Sequence, residues 1–170
     1  MDMKFGILTI SDRSAAGERE DLSGPALVKA VEQAGWSVSR KAVVPDEFQE
    51  ITNTLISWCD QGDCSVILTS GGTGFSPRDI TPEATAAVID RDAPGLAEAM
   101  RSGSLKITPH AMLSRAAAGI RGKTLIINLP GSPKGALENF RVVAPVLGHA
   151  VQLLEGDPAA ESGHWPGRAI

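Results

Sequence analysis

One stretch of this chain combines backbone and side chains that suit phosphate chemistry. Residues 66–69 form a short apolar run typical of a buried strand, and Ser70-Gly71-Gly72-Thr73-Gly74 follows it directly. Three glycines in four residues allow a tight turn whose N–H groups can approach a ligand without side chains in the way. Thr81-Pro82-Glu83 then predicts the start of a helix, with Thr81 as its N-cap. Free amides and the positive end of a helix dipole favour a phosphate group at this turn.

Carboxylates fall close to the same turn. Asp79 follows it in the sequence, and Asp12 and Asp46 each follow another predicted strand. Three acids at one edge of a sheet would be costly without a cation, and beside phosphates that cation would be Mg²⁺. Each feature has an alternative reading: Asp46 could be a helix N-cap with Gln49 as its capping-box partner, and Asp12 could simply close a turn. The glycine turn matches neither a P-loop nor a GxGxxG motif, so it could serve geometry alone.

A second glycine turn follows the strongest predicted strand, residues 124–129. Here Ser132 can cap a helix with Pro133 at its first turn, and Pro145 is expected to kink or split that helix. The chain therefore offers two helix N-termini after glycine turns, at 71–74 and 131–135. Two separate anion sites would suit two phosphorylated substrates.

The elements that must position these residues follow an alternating pattern. Apolar runs at 5–10, 36–44, 66–69 and 124–129 predict strands. Helices are predicted to begin near Ser23, Phe48, Thr81 and Ser132, with a further short one near Asp92. Continuous apolar strands are typical of parallel sheets covered on both faces. Residues 112–120 and 123–129 are interpreted as an antiparallel pair turning at Arg121-Gly122, with a helix as the alternative for the first because of the alanines at 116–118. We therefore expect an α/β fold: a three-layer α/β/α sandwich with a mostly parallel sheet and one antiparallel strand pair.

Composition excludes several classes of function. A length of 170 residues suits one compact domain, expected over 1–156, with a loose tail over 157–170. A net charge of −4 does not suggest a nucleic-acid surface, and no apolar run approaches the about 20 residues of a membrane helix. The N-terminus has no signal-peptide layout, so the cytoplasm is the expected location. The two cysteines match no metal spacing, and the three histidines are too far apart in sequence to predict a ligand set.

Six motifs in order make the chain resemble a known family. They are Ile10-Ser11-Asp12-Arg13, Val44-Pro45-Asp46-Glu47, Thr69 to Gly74, Pro77-Arg78-Asp79 with Thr81-Pro82-Glu83, Met112 to Arg115, and Ile127 to Gly131. Together they are similar to the molybdopterin adenylyltransferases of molybdenum-cofactor biosynthesis, which include the MogA/MoaB-like proteins and the G domains of gephyrin. The resemblance covers residues 5–155.

The resemblance implies an enzyme, a nucleotidyltransferase that moves AMP from ATP to the terminal phosphate of molybdopterin and releases pyrophosphate, with Mg²⁺ as cofactor. It also implies a homotrimer and a MoeA-like molybdenum-insertion protein as the downstream partner. A non-catalytic molybdopterin-binding or scaffold relative is the alternative. Asp46 and Asp79 match the family's essential carboxylates and are the expected catalytic and metal-binding residues. The expected substrate-binding residues are Ser11, Asp12, Thr69, Gly71, Gly72, Thr73, Gly74, Ser104, Ser114, Asn128, Pro130, Gly131 and Ser132.

Overall fold

The computed structural model describes residues 3–158 and 160. Within these residues one sheet has the strands β1 Lys4–Ile10, β2 Ser37–Val44, β3 Val66–Ser70, β4 Arg91–Asp92, β5 Ala118–Arg121 and β6 Thr124–Leu129, in the order β2-β1-β3-β6-β5-β4. Strands β2, β1, β3 and β6 run parallel, and β5 runs antiparallel to β6. The predicted antiparallel pair is therefore confirmed, and the two-residue strand β4 extends it along β5.

Helices cover both faces of the sheet. They are α1 Asp12–Ala15, α2 Ser23–Gln33, α3 Phe48–Asp60, α4 Thr81–Val88, α5 Pro94–Leu105 and α6 Pro133–Glu155, with a 3₁₀ helix at Pro109–Leu113. One core lies between the sheet and α2, α5 and α6, where Leu27, Met100 and Phe140 are buried. The other lies between the sheet and α3 and α4, where Leu55 and Val88 are buried. The three-layer α/β/α sandwich is confirmed, and burial of the central strands on both faces explains their continuous apolar sequences.

Two element predictions were wrong in detail. Strand β5 begins at Ala118 rather than Met112, and residues 109–113 form the 3₁₀ helix, whose proline at the first position favours a helical start. Helix α6 runs unbroken through Pro145 instead of splitting. Pro145 and Arg141 are both exposed, so the carbonyl oxygen that loses its hydrogen bond at the proline can be hydrated.

The predicted tail 157–170 falls mostly outside the described residues, and no described helix has the length and apolar character needed to span a membrane. Cys59 and Cys64 are free thiols, and burial raises the pKa of the Cys59 thiol to about 11. That thiol stays protonated, and therefore a weak nucleophile, at neutral pH.

Candidate active site

The carboxyl ends of the parallel strands meet at one edge of the sheet. Ile10 of β1 pairs with Val44 of β2, and Ser70 of β3 pairs with Leu129 of β6, so the segments that follow these strands are neighbours in space. A cavity of about 400 Å³ opens there. Its walls include Ser11, Asp46, Gly71, Asp79, Gly131 and Ser132. The structure thus brings both predicted catalytic carboxylates and both glycine turns to one cavity, where ligands of open α/β sheets usually bind.

Asp12 and Asp46 tie the ends of β1 and β2 together. The backbone N–H of Asp12 donates to Asp46 Oδ2 at 2.9 Å, and the backbone N–H of Asp46 donates to Asp12 Oδ1 at 3.0 Å. Helix α3 has Glu47 as its N-cap with no side-chain cap bond, so the capping-box alternative for Asp46 was wrong. The carboxylate of Asp46 instead faces the neighbouring strand end and the cavity.

These two carboxylates have opposite electrostatic surroundings. Hydrogen bonds from Arg78 lower the pKa of Asp12, and the same guanidinium also pairs with Glu47. Burial raises the pKa of Asp46, and the nearby charges of Asp12 and Asp79 raise it further. The negative charge of Asp46 is therefore poorly compensated in the protein alone. A bound cation would stabilise it.

The donor set fits a cation that is shared with a phosphorylated ligand. Oδ1 of Asp46 is 3.0 Å from a Cβ placed on Gly72, and Oδ2 of Asp79 is 2.9 Å from a Cβ placed on Gly74, so both carboxylates border the glycine turn. Among the residues described, no group of three or more His, Cys, Asp or Glu side chains could hold a metal ion. The expected cluster of three acids is thus reduced to two, because Arg78 already neutralises Asp12. Mg²⁺ is commonly bound by one or two carboxylates together with substrate phosphates and water, which this pair fits.

The glycine turn has a shape that only glycine tolerates. Gly71 has φ +112° and Gly72 has φ +66°, and a Cβ on Gly71 would lie 2.1 Å from the carbonyl oxygen of Ile10. Thr81 holds the turn in place, because its Oγ1 donates to Gly71 O at 2.8 Å and its N–H donates to Gly72 O at 3.1 Å. Thr81 is therefore not the N-cap of α4, which is Ile80. The first N–H of α4 is therefore bonded to the turn itself and is not free to bind an anion.

The two glycine turns form one continuous rim. A Cβ on Gly131 would lie 3.2 Å from Gly71 Cα, Gly71 N–H donates to Leu129 O at 3.1 Å, and Ser70 Oγ donates to Pro130 O at 2.9 Å. Ser132 caps α6 by accepting a hydrogen bond from the Gly135 N–H, as predicted. The two turns that were predicted as separate anion sites therefore lie against each other, because β3 and β6 are neighbouring strands.

A second cavity of about 330 Å³ lies beyond this rim. Its walls include Thr73, Gly74, Ser104, Ser114, Pro130 and Asn139. Ser132 borders both cavities, and the turn from Gly71 to Gly74 contributes its first half to one cavity and its second half to the other. Two ligands bound in these cavities would therefore meet across the turn.

Sequence reasoning missed some of the residues that line the second cavity. Asn139 is 6% exposed and donates to Ser104 Oγ at 3.2 Å and to Gly135 O at 2.8 Å. His110 and Arg101 also line this cavity. A signal for Asn139 was present in the sequence: it is an amide on the buried face of α6, between Ala136 and Phe140.

Three predicted substrate-binding residues, Asp12, Thr69 and Asn128, do not line either cavity. The carboxylate of Asp12 is paired with Arg78. Thr69 and Asn128 are both 0% exposed. The Asn128 amide donates to Thr69 Oγ1 at 3.0 Å and to Thr85 Oγ1 at 2.8 Å, and its Oδ1 accepts from the Ala117 N–H at 3.2 Å. This network joins β6, β3, α4 and the start of β5 below the glycine rim. The structure therefore gives these side chains a supporting place and not direct contact with a ligand.

Replacing Asn128 by alanine is expected to destabilise the fold by about 2–4 kcal/mol, because it leaves two buried hydroxyls and a buried N–H without partners. Asn53→Ala is the matched control, since Asn53 is exposed on α3 and is expected to change stability by less than about 0.5 kcal/mol. Urea unfolding of both variants measures the difference. Equal unfolding midpoints would contradict a supporting role for Asn128.

Comparison with known proteins gives a consistent result. A family model described as "Probable molybdopterin binding domain" matches residues 6–149. The chain is 44% identical to a molybdopterin adenylyltransferase of Helicobacter pylori over 155 residues, which are 90% of this chain and 88% of the relative. It is also 39% identical to the Escherichia coli K12 protein of the same name, over 91% of this chain and 86% of that protein. A Dictyostelium discoideum gephyrin is 45% identical over 90% of this chain, which spans only 23% of that longer protein.

Solved structures agree with the sequence relatives. The molybdopterin biosynthesis enzyme MoaB from Thermus thermophilus superposes with a TM-score of 0.86 at 49% identity, covering 92% of this chain and 98% of that chain. A MogA structure superposes with a TM-score of 0.84 at 44% identity, covering 89% of this chain and 99% of that chain. The match in fold thus extends over nearly the whole of each neighbour.

Proposed function

Because this chain belongs to the molybdopterin-binding domain family, we propose that it is a molybdopterin adenylyltransferase of molybdenum-cofactor biosynthesis. It transfers AMP from ATP to the terminal phosphate of molybdopterin and releases pyrophosphate. The observation that carries the proposal is the pair of cavities that share the glycine turn Gly71–Gly74 as a wall. Two phosphorylated substrates bound on either side of it would bring their reacting phosphates together.

The cavity with the carboxylates is assigned to ATP. Asp46 and Asp79 line it and would hold Mg²⁺ against the triphosphate, and Gly71, Gly72 and Gly131 of the rim line the same space. The Mg²⁺ ion would neutralise charge on the α-phosphoryl group and on the leaving pyrophosphate. Arg78 is bound to Asp12 and Glu47, so these two acids add little repulsion toward the phosphates.

The second cavity is assigned to molybdopterin. Its polar side chains, Ser104, Ser114, Asn139 and Arg101, can hydrogen bond a pterin ring, and Thr73 lies on the wall nearest the first cavity. Ser114 and Ser104 keep the substrate-binding roles that the resemblance implies. Thr69 and Asn128 support the rim from below.

The chemistry places modest demands on the side chains. The nucleophile is a phosphate oxygen of molybdopterin that is already ionised at neutral pH, so no general base is required. It attacks the α-phosphorus of ATP, a new P–O bond forms, and the bond between the α-phosphorus and its bridging oxygen breaks to release pyrophosphate. The protein contributes orientation of the two substrates and compensation of charge.

Release of pyrophosphate from ATP, Mg²⁺ and molybdopterin tests the proposal. We expect turnover that requires all three components and stops when EDTA removes the metal. The non-catalytic alternative predicts that molybdopterin binds without pyrophosphate release. Binding without turnover in the presence of Mg²⁺ and ATP would therefore replace the proposal with that alternative.

Several finer expectations belong to the same proposal. A homotrimer is supported by exposed apolar side chains on three adjoining elements. They are Leu105 at the end of α5 with Ile107 just after it, Met112 on the 3₁₀ helix, and Val142 and Val146 on α6. We expect Val146→Glu to convert the trimer to monomers, and light scattering would measure the mass of each species. An unchanged mass would exclude this face as the interface.

The product and the location complete the proposal. Adenylylated molybdopterin is handed to a MoeA-like molybdenum-insertion protein, and the reaction takes place in the cytoplasm. The chain's net charge of −4 favours neither nucleic acid nor an anionic membrane surface as a partner.

A further inference from the structure

One arginine outside the assigned sites holds both ends of the loop that carries Asp79. Arg115 lies in the segment between the 3₁₀ helix and β5 and is partly buried, with 33% of its side chain exposed. Its Nε donates to Gly74 O at 2.7 Å and its Nη2 donates to Asp79 O at 2.6 Å. The same guanidinium pairs with the carboxylate of Glu83 on α4.

The backbone of Arg115 adds a further contact. Its N–H donates to Thr73 O at 2.8 Å, so the residue contacts the glycine turn, the start of the loop and its end. The loop itself, residues 75–78, is exposed and has no regular secondary structure. Arg78, within the loop, also ties it to the ends of β1 and β2 by pairing with Asp12 and Glu47.

The orientation of Asp79 depends on this loop. Asp79 Oδ2 accepts a hydrogen bond from the Ser76 N–H at 3.0 Å, and the Asp79 N–H donates to Ser76 O at 2.9 Å. The carboxylate is therefore fixed relative to the loop backbone, and the loop backbone is fixed by the guanidinium fork of Arg115. A planar fork can bind two carbonyl oxygens and a carboxylate at once, which an ammonium group on a flexible stem cannot reproduce.

Glu83 keeps the guanidinium in place. Hydrogen bonds from Arg115 lower the pKa of Glu83, so the pair is ionised at neutral pH. Because α4 is packed against α3 and β6, Glu83 is a firm anchor on the far side of the fork. Arg115 therefore fixes the Gly74 and Asp79 carbonyls relative to α4, which packs on the sheet, and not relative to another loop.

We propose that Arg115 is a positioning residue of the transfer reaction, which holds Asp79 at the nucleotide cavity so that the metal–triphosphate complex binds there. This inference rests on the proposed function. Arg115 contacts neither substrate in this arrangement and acts through Asp79. Loss of the outer partners of a metal-binding carboxylate commonly weakens metal affinity by about 10–100-fold.

The test uses Arg115→Gln, Arg115→Lys and the control Arg121→Gln. Arg121 is a matched control because it also bonds a carbonyl and a carboxylate, Val88 O and Asp60, but at the opposite end of the sheet. The first measurement is the Mg²⁺ dependence of binding of α,β-methylene-ATP, an analogue that cannot transfer AMP, by titration calorimetry. We expect the half-saturating Mg²⁺ concentration to rise about tenfold or more in Arg115→Gln and several-fold in Arg115→Lys, and to stay within about twofold of wild type in Arg121→Gln.

The second measurement is hydrogen exchange of residues 74–80, which needs no ligand. We expect faster exchange in both Arg115 variants and wild-type exchange in Arg121→Gln. Wild-type Mg²⁺ dependence and wild-type exchange in the Arg115 variants would overturn the inference while the proposed function stands. Absence of Mg²⁺-dependent binding in the wild-type protein would instead refute the metal role in the proposed function. If Arg115→Gln does not fold, Arg115→Lys provides the same comparison.

Discussion

Replacing Asp79 or Asp46 by asparagine is expected to lower the rate of AMP transfer by about 100-fold or more while the protein stays folded. Both carboxylates border the same glycine turn, and an amide keeps their size while removing the negative charge that would hold Mg²⁺. Single-turnover pyrophosphate release measures the effect. Turnover near the wild-type rate in either variant would remove that residue from the metal site.

The stability of Asp46→Asn is expected to follow from the pKa of the carboxyl group that it removes. The pKa of Asp46 is raised in the folded protein by burial and by the neighbouring acids. An acid with a raised pKa destabilises the fold when ionised: the loss of stability develops as pH rises from its unfolded pKa to its folded pKa and is complete above both. Asp46→Asn should therefore unfold at the same urea concentration as wild type or a higher one at pH 7.

Asp63→Asn is the control with the opposite sign. Hydrogen bonds from Arg40 lower the pKa of Asp63, so its ionised form contributes stability that is present above the unfolded pKa and lost as pH falls through the folded pKa. This variant should lose stability at pH 7 and keep its AMP-transfer rate, because it lies at the opposite end of β3 from the glycine turn. A loss of activity without a loss of stability in Asp46→Asn, and the reverse in Asp63→Asn, would separate charge at the site from folding.

Alanine at Gly71 is expected to destabilise the fold by about 2–5 kcal/mol. A positive φ in an L-residue costs about 1–2 kcal/mol, and forcing atoms into packed backbone costs about 1–3 kcal/mol more. Both apply here, because Gly71 has φ +112° and its Cβ would lie 2.1 Å from the Ile10 carbonyl oxygen. Relief would require β1 and β3 to separate where the site is built.

Gly62→Ala separates the two causes. Gly62 has φ +70° and nothing within 4 Å of its Cβ position, so it tests the backbone conformation without the clash. We expect this variant to lose about 1–2 kcal/mol. Urea unfolding of both variants gives the difference, and equal losses would show that the close approach of Gly71 to β1 does not constrain the turn.

The central strands and their common edge were predictable from the sequence. The apolar runs at 5–10, 66–69 and 124–129 indicated parallel strands buried on both faces, and β1, β3 and β6 confirm them. The side chains that follow such strands must gather at one edge, which is why Ser11, Asp46 and the glycine turns line one cavity. Periodicity and turn chemistry are local properties, so sequence spacing is enough to detect them.

The partner of each side chain was decided by the tertiary structure. Asp46 has the sequence of a helix N-cap, but the pairing of β1 with β2 offers it the Asp12 N–H. Thr81 also has the sequence of a helix N-cap, yet its hydroxyl donates to the glycine turn that precedes its helix. In both cases the side chain bonds a group that is distant in the sequence and not a nearby N–H of its own helix. Sequence spacing does not show which distant groups come together in the fold.

The arrangement of the site also depended on strand order. The adjacency of β3 and β6 joins two glycine turns into one rim and buries Asn128 beneath it, where the sequence suggested two separate turns and an amide that binds substrate. The sequence by itself determined which residues end the strands and which positions must be glycine, because backbone conformation follows from residue type. Which of those ends touch was decided by the order of strands in the sheet, because that order arises from packing of the whole chain.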